Sequence, residues 1–95
     1  MKNILQLTDS ELHSASGGTA SVELIREIIE QEGKDSVINN TTGLLDTDQF
    51  AQWFAYGLED LIDAEPTSEE WQQGWRSNYE WGLEIAERIN LYVRA

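Results

Sequence analysis

One proline divides the apolar pattern of this chain into two helical stripes, and that division constrains the fold more than any other feature. Before Pro66, residues Phe50, Trp53, Phe54, Gly57, Leu58, Leu61 and Ile62 recur at i, i+3, i+4 and i+7. After it, Trp71, Trp75, Tyr79, Gly82, Ile85, Ala86, Ile89 and Val93 trace a second, longer face that runs almost to the C-terminus. Each stripe carries a start signal: Asp46 with Gln49, and Thr67 with Glu70, have the spacing of N-terminal capping pairs, and Pro66 closes the first helix. Two helices joined by so few residues pack antiparallel, with Gly57, Gly74 and Gly82 making room for aromatics of the opposite helix. The recurrence of Tyr56-Gly57-Leu58-Glu59 as Trp81-Gly82-Leu83-Glu84 belongs to the same packing geometry.

Upstream, Val22, Leu24, Ile25, Ile28 and Ile29 suggest another helix, capped by Ser21 or Thr19 and stopped by Gly33. Residues 34–43 then read as a loop, because Asn39-Asn40-Thr41-Thr42-Gly43 favours local turns. The expected fold is all-α: a short N-terminal helix followed by a small bundle of about three helices, the last two a long antiparallel hairpin. The chain has no cysteine, so no disulfide or thiolate metal site can hold so small a bundle together. Packing must come from the nine aromatic residues, every one of them beyond residue 18.

The formal net charge is −12, and residues 1–18 hold only Lys2 against Asp9 and Glu11. From Asp35 to Trp75 there are nine acids and no Lys or Arg, which argues against nucleic acid or anionic lipid as a partner and toward a basic protein. Carboxylates on the polar faces of amphipathic helices also serve simply to keep a surface solvated. No run of eighteen apolar residues suggests a membrane span, and residues 1–16 lack the continuous apolar core of a general secretory signal.

The N-terminal stretch Leu7-Thr8-Asp9-Ser10-Glu11-Leu12-His13-Ser14-Ala15-Ser16-Gly17-Gly18 is compositionally distinct from the rest of the chain. Thr8 with Glu11 forms a capping box, which places Leu12 and Ala15 on one face of a short helix with Leu7 as its staple residue. The same capping rules make Gly17-Gly18 a natural C-terminal stop for an ordinary helix. The order of residue types also resembles the double-glycine leader of bacteriocin and microcin precursors. By average amino-acid usage, such a pattern arises at a given start position on the order of one time in a million. The resemblance implies a leader over residues 1–18 and an acidic helical cargo over 19–95. It further implies recognition through Leu7, Glu11, Leu12 and Ala15, a cut after Gly18 next to Gly17, and export by a peptidase-containing ABC transporter. Ala15 departs from the pattern, in which a larger aliphatic residue is usual. The precursor would be cytoplasmic and its product secreted, with an antibacterial or signalling role. A membrane-lytic role fits poorly, since such peptides are usually cationic or glycine-rich and apolar.

Few residues suggest catalysis. His13 is the only histidine and lies in the leader segment, so no Ser-His or histidine–metal site is available beyond Gly18. Asp46-Thr47-Asp48 lacks the other ligand positions of a calcium loop, and Glu69-Glu70 is an acid pair of the kind that chance alone supplies in so acidic a chain. No cofactor, metal or enzymatic activity is therefore expected. Trp81 lies off the main apolar line of its helix and is the expected surface anchor. The segment Glu70-Trp71-Gln72-Gln73-Gly74-Trp75-Arg76, with Tyr56-Gly57 and Pro66 upstream, is similar to ribosome modulation factor, whose relatives bind ribosomal RNA through a basic surface. This chain is acidic across the matched region, so the similarity implies a shared two-helix packing solution. A reading from another class also fits the composition: an intracellular inhibitor that presents carboxylates where phosphates would lie, with residues 1–18 retained as an additional helix.

Overall fold

A computed structural model describes residues 3–18 and 20–94. Among the described residues four α-helices form a small all-α bundle: α1 (Asp9–Ala15), α2 (Val22–Glu27), α3 (Thr47–Gly57) and α4 (Glu69–Arg94). Short 3-10 turns at Ile4–Gln6 and Glu59–Leu61 flank α1 and α3. The long hairpin of α3 and α4 forms the main packing interface, and α1 packs on both α2 and α4.

Three of the expected helix starts are realised by the predicted chemistry. Thr8 caps α1, Ser21 caps α2 by accepting from the Leu24 amide, and Asp46 caps α3 by accepting from the Gln49 amide. The fourth start shifts by one residue. The chain reverses at Thr67, whose φ is +68°, so the hydroxyl that accepts from the Trp71 amide is that of Ser68. The expected Thr67–Glu70 box is thus replaced by a Ser68 cap. From Glu69 the helix continues without interruption for 26 residues.

Two helix ends also differ from expectation. Gly33 does not stop α2; wide π-type turns carry the chain on through Ile28–Val37, and the Ile38 amide donates to the Gly33 carbonyl five residues back. At the other end, α3 stops at Gly57 rather than near Pro66, so Leu61 is left 77% exposed. The segment after Val37 closes on itself through an isolated antiparallel bridge between Ile38 and Leu45. At its tip, Asn39 Oδ1 accepts from the Thr41 and Thr42 amides, and Gly43 supplies a φ of +72°.

One side chain fastens this loop to the bundle. Asn90 on α4 accepts from the Leu45 amide at 2.8 Å through Oδ1 and donates to the Leu45 carbonyl at 3.0 Å through Nδ2, as a neighbouring strand would. Asn90→Ala strands both groups of a buried residue, so stability in denaturant titration should fall by about 1–3 kcal/mol with helix content retained. A loss below a few tenths of a kcal/mol would show that water replaces Asn90 at no cost.

The core runs through the whole chain, from Ile4, Leu7, Leu12 and Ala15 to Phe50, Phe54, Ile85, Ile89 and Val93. On α3 the buried face is Phe50, Ala51, Phe54 and Ala55, rotated from the expected stripe so that Ala51 and Phe54 meet α4. Gly82 is the contact point: a Cβ there would lie 2.9 Å from the Ala51 α-carbon and 3.1 Å from Phe54. The other two glycines expected at the hairpin seam serve different neighbours. Gly57 faces Leu24 and Gly74 faces Ile62, so the nearest side chain at each is aliphatic.

Candidate functional site

The glycine pair sits on the surface between α1 and α2, and its geometry follows from how α1 begins and ends. At the start, the Glu11 amide donates to Thr8 Oγ1 at 3.2 Å while Glu11 Oε1 accepts from the Thr8 amide at 3.1 Å, so the predicted capping box forms in full. Glu11 is thereby engaged in holding the helix start. At the end, the Gly18 amide donates to the His13 carbonyl at 2.8 Å and the Gly17 amide to the Ser14 carbonyl at 3.2 Å. That is a Schellman closure with both glycines left-handed, at φ +73° and +72°. A Cβ on Gly18 would meet the His13 imidazole at 2.9 Å, and one on Gly17 the Arg88 guanidinium at 2.5 Å.

The apolar face of α1 points inward. Leu7, Leu12 and Ala15 are all buried in the common core, with Ile4 just upstream and Ser16 just downstream equally buried. Leu7 and Leu12 occupy the two staple positions, before the cap and one turn into the helix. Arg26 on α2 meets Asp9 at 3.3 Å, and Arg88 on α4 reaches the Ser16 carbonyl at 3.5 Å, so α1 is also tied at its polar edge. Of the residues singled out in the sequence, Gly17 and Gly18 are accessible, whereas Leu7, Leu12 and Ala15 are covered. Thr19, the residue after the expected cut and the alternative cap, lies outside the described residues.

Trp81 is half-buried, its indole standing edge-on to Phe54 at a centroid distance of 5.2 Å. The more exposed aromatics are Tyr56 (52%) and Trp53 (37%) on α3, with Tyr92 on α4. Sequence periodicity missed Trp53 because it falls one step from Phe54 and inherits an apolar reading from residue type alone. Trp53, Tyr56, Trp75 and Tyr79 form a continuous ladder across the α3–α4 seam, with successive centroids 5.9, 5.6 and 5.8 Å apart. Acids fix two of the rungs: Trp75 Nε1 donates to Glu59 at 3.1 Å, and the Tyr79 hydroxyl donates to Asp48.

The hydrogen bond to Asp48 raises the Tyr79 pKa above its ordinary value, and the charges of Asp48 and Asp46 add to the effect. Ionising the phenol would put a third negative charge beside these two. The neutral form is therefore favoured by folding, and this contribution is present below the ordinary tyrosine range and lost as pH rises through the higher folded value. In an alkaline absorbance titration, the tyrosinate signal of Tyr79 should appear at higher pH than in Asp48→Asn. Coincident curves would mean that Asp48 does not hold the proton.

No helix among the described residues is long and apolar enough to cross a membrane, and no group of three or more His, Cys, Asp or Glu among them could hold a metal ion. Compared with known protein families, characterised proteins and solved structures, the chain shows no significant match.

Proposed function

We propose that this protein is a ribosomally made precursor whose first 18 residues are a double-glycine leader, and that residues 19–95 are an exported acidic cargo. The observation that carries this reading is the glycine pair itself, on the surface at the end of a helix that bears Glu11, Leu12 and Ala15, with Leu7 just before its cap; only Ala15 departs from the usual pattern. Two residues without Cβ suit the narrow cleft of a cysteine-type peptidase fused to an ABC exporter. Because Leu7, Leu12 and Ala15 are buried, this peptidase must capture a state in which α1 has left the core. Cutting is then slow in the folded precursor and faster in a variant that loosens α1 while keeping Leu7, Glu11, Leu12, Ala15 and both glycines.

Incubating the full chain with the peptidase domain of such an exporter should release a product that begins at Thr19. Gly18→Asp should block the cut. An intact mass showing only the uncut chain, both in this reaction and in the medium of secreting cells, would overturn the reading.

The burial of α1 supports a second reading, in which residues 1–18 stay attached and the whole chain acts as an acidic binding protein inside the cell. Under that reading the glycines are a Schellman stop and nothing more. The same mass measurement separates the two.

A further inference from the structure

The ladder of Trp53, Tyr56, Trp75 and Tyr79 lies outside the core, although a chain this small needs its large aromatics inside. Trp53 and Tyr56 are exposed and Trp75 and Tyr79 half-buried, so the ladder is open to solvent along the seam between α3 and α4. On one side, α4 opens a groove of about 530 Å³ lined by Trp71, Trp75, Tyr79, Leu83, Arg76 and Glu80. On the other side, Trp53 and Tyr56 border a second hollow that Leu24 and Glu27 of α2 complete. Carboxylates of Asp48 and Glu59 accept hydrogen bonds from two of the rungs at their edges, and Asp46 lies close enough to act on Tyr79. Arg76 is the single basic residue lining the groove, and from Asp35 to Trp75 the sequence supplies none.

We propose that this aromatic and acidic face binds an arginine-rich segment of a protein partner. Charge complementarity selects a cationic occupant, and the electron-rich faces of indole and phenol select among cations. A planar guanidinium stacks on Trp75 or Tyr56 while donating hydrogen bonds to Glu59 or Asp48; an ammonium offers no plane to stack and no fork to match a carboxylate. Because Glu59 and Asp48 already orient the rings they touch, little ordering remains to be done on binding. The inference rests on the α3–α4 face and holds whether the first 18 residues are kept or removed.

The test uses the full chain and a fluorescently labelled nine-residue peptide of alternating arginine and glycine, read by anisotropy. Tyr56→Ala and Trp75→Ala should each weaken binding by about tenfold, the change expected from losing one stacked, desolvated cation–π contact. The double variant Asp48→Asn, Glu59→Gln should do the same, whereas Asp9→Asn, Glu87→Gln removes equal charge away from the ladder and should change binding by less than about twofold. The lysine version of the peptide should bind several-fold more weakly than the arginine one. Tyr56 is exposed and outside the core, so its variant keeps the test decisive if Trp75→Ala fails to fold. Equal losses from the two double variants would reduce the interaction to overall charge and overturn the proposal. Undiminished binding by folded Tyr56→Ala, or equal affinity for the lysine peptide, would overturn it as well.

Discussion

Residues 19–95 expressed without the first 18 should lose cooperative thermal unfolding and bind a hydrophobic dye, while the full chain unfolds in one transition. Ile4, Leu7 and Leu12 are each no more than 1% exposed, and Ala15 is buried beside them. Burying a large aliphatic side chain contributes about 1.5–3 kcal/mol, so three of them approach the roughly 5–15 kcal/mol that holds a small domain together. Loss of the Thr8 capping box, the Asp9–Arg26 pair and the Ser16–Arg88 contact adds to the effect. Residues 19–95 melting within a few degrees of the full chain would show that α1 rests on the bundle without supporting it. The result also bears on the precursor reading, since a cargo that needs α1 to fold would be exported in a loosened state and acquire its packing only with its partner.

Phe54→Ala should be the most damaging single substitution in the hairpin. Phe54 is 1% exposed, stacks on Phe50 at 6.0 Å, meets the edge-on Trp81 at 5.2 Å and lies directly against Gly82. Removing a buried phenyl ring costs about 3–5 kcal/mol, because α3 and α4 already touch at Gly82 and cannot close further to fill the space. For a domain of this size the thermal midpoint should drop by roughly 15–30 °C in circular dichroism. Trp53→Ala, one residue away but exposed, should shift it by no more than a few degrees. Comparable losses from the two would mean that the ladder, not the buried seam, stabilises the hairpin.

What the sequence by itself determined is the set of local decisions. Helix starts at Thr8, Ser21 and Asp46, the turn at Asn39–Gly43, the hairpin about Pro66 and the inward face of Ile85, Ala86, Ile89 and Val93 were all legible. Each of these depends on residues within a turn or two of one another, so side-chain chemistry and spacing are sufficient. The candidate cleavage motif was legible for the same reason, including the short helix that carries it. Only the tertiary structure decided which apolar side chains are covered. Trp53 and Phe54 are adjacent aromatics, yet only the one that meets Gly82 and Trp81 is buried, and Ala51 is buried where its smallness lets α3 and α4 meet. The extension of α2 past Gly33, the bond from Asn90 to Leu45 and the assembly of four aromatics from two helices likewise rest on contacts between residues distant in the chain. Glycines 17 and 18 show the division most plainly: sequence placed them after a helix, but the burial of Leu7, Leu12 and Ala15 against α2 and α4 depends on surfaces formed by residues up to Val93.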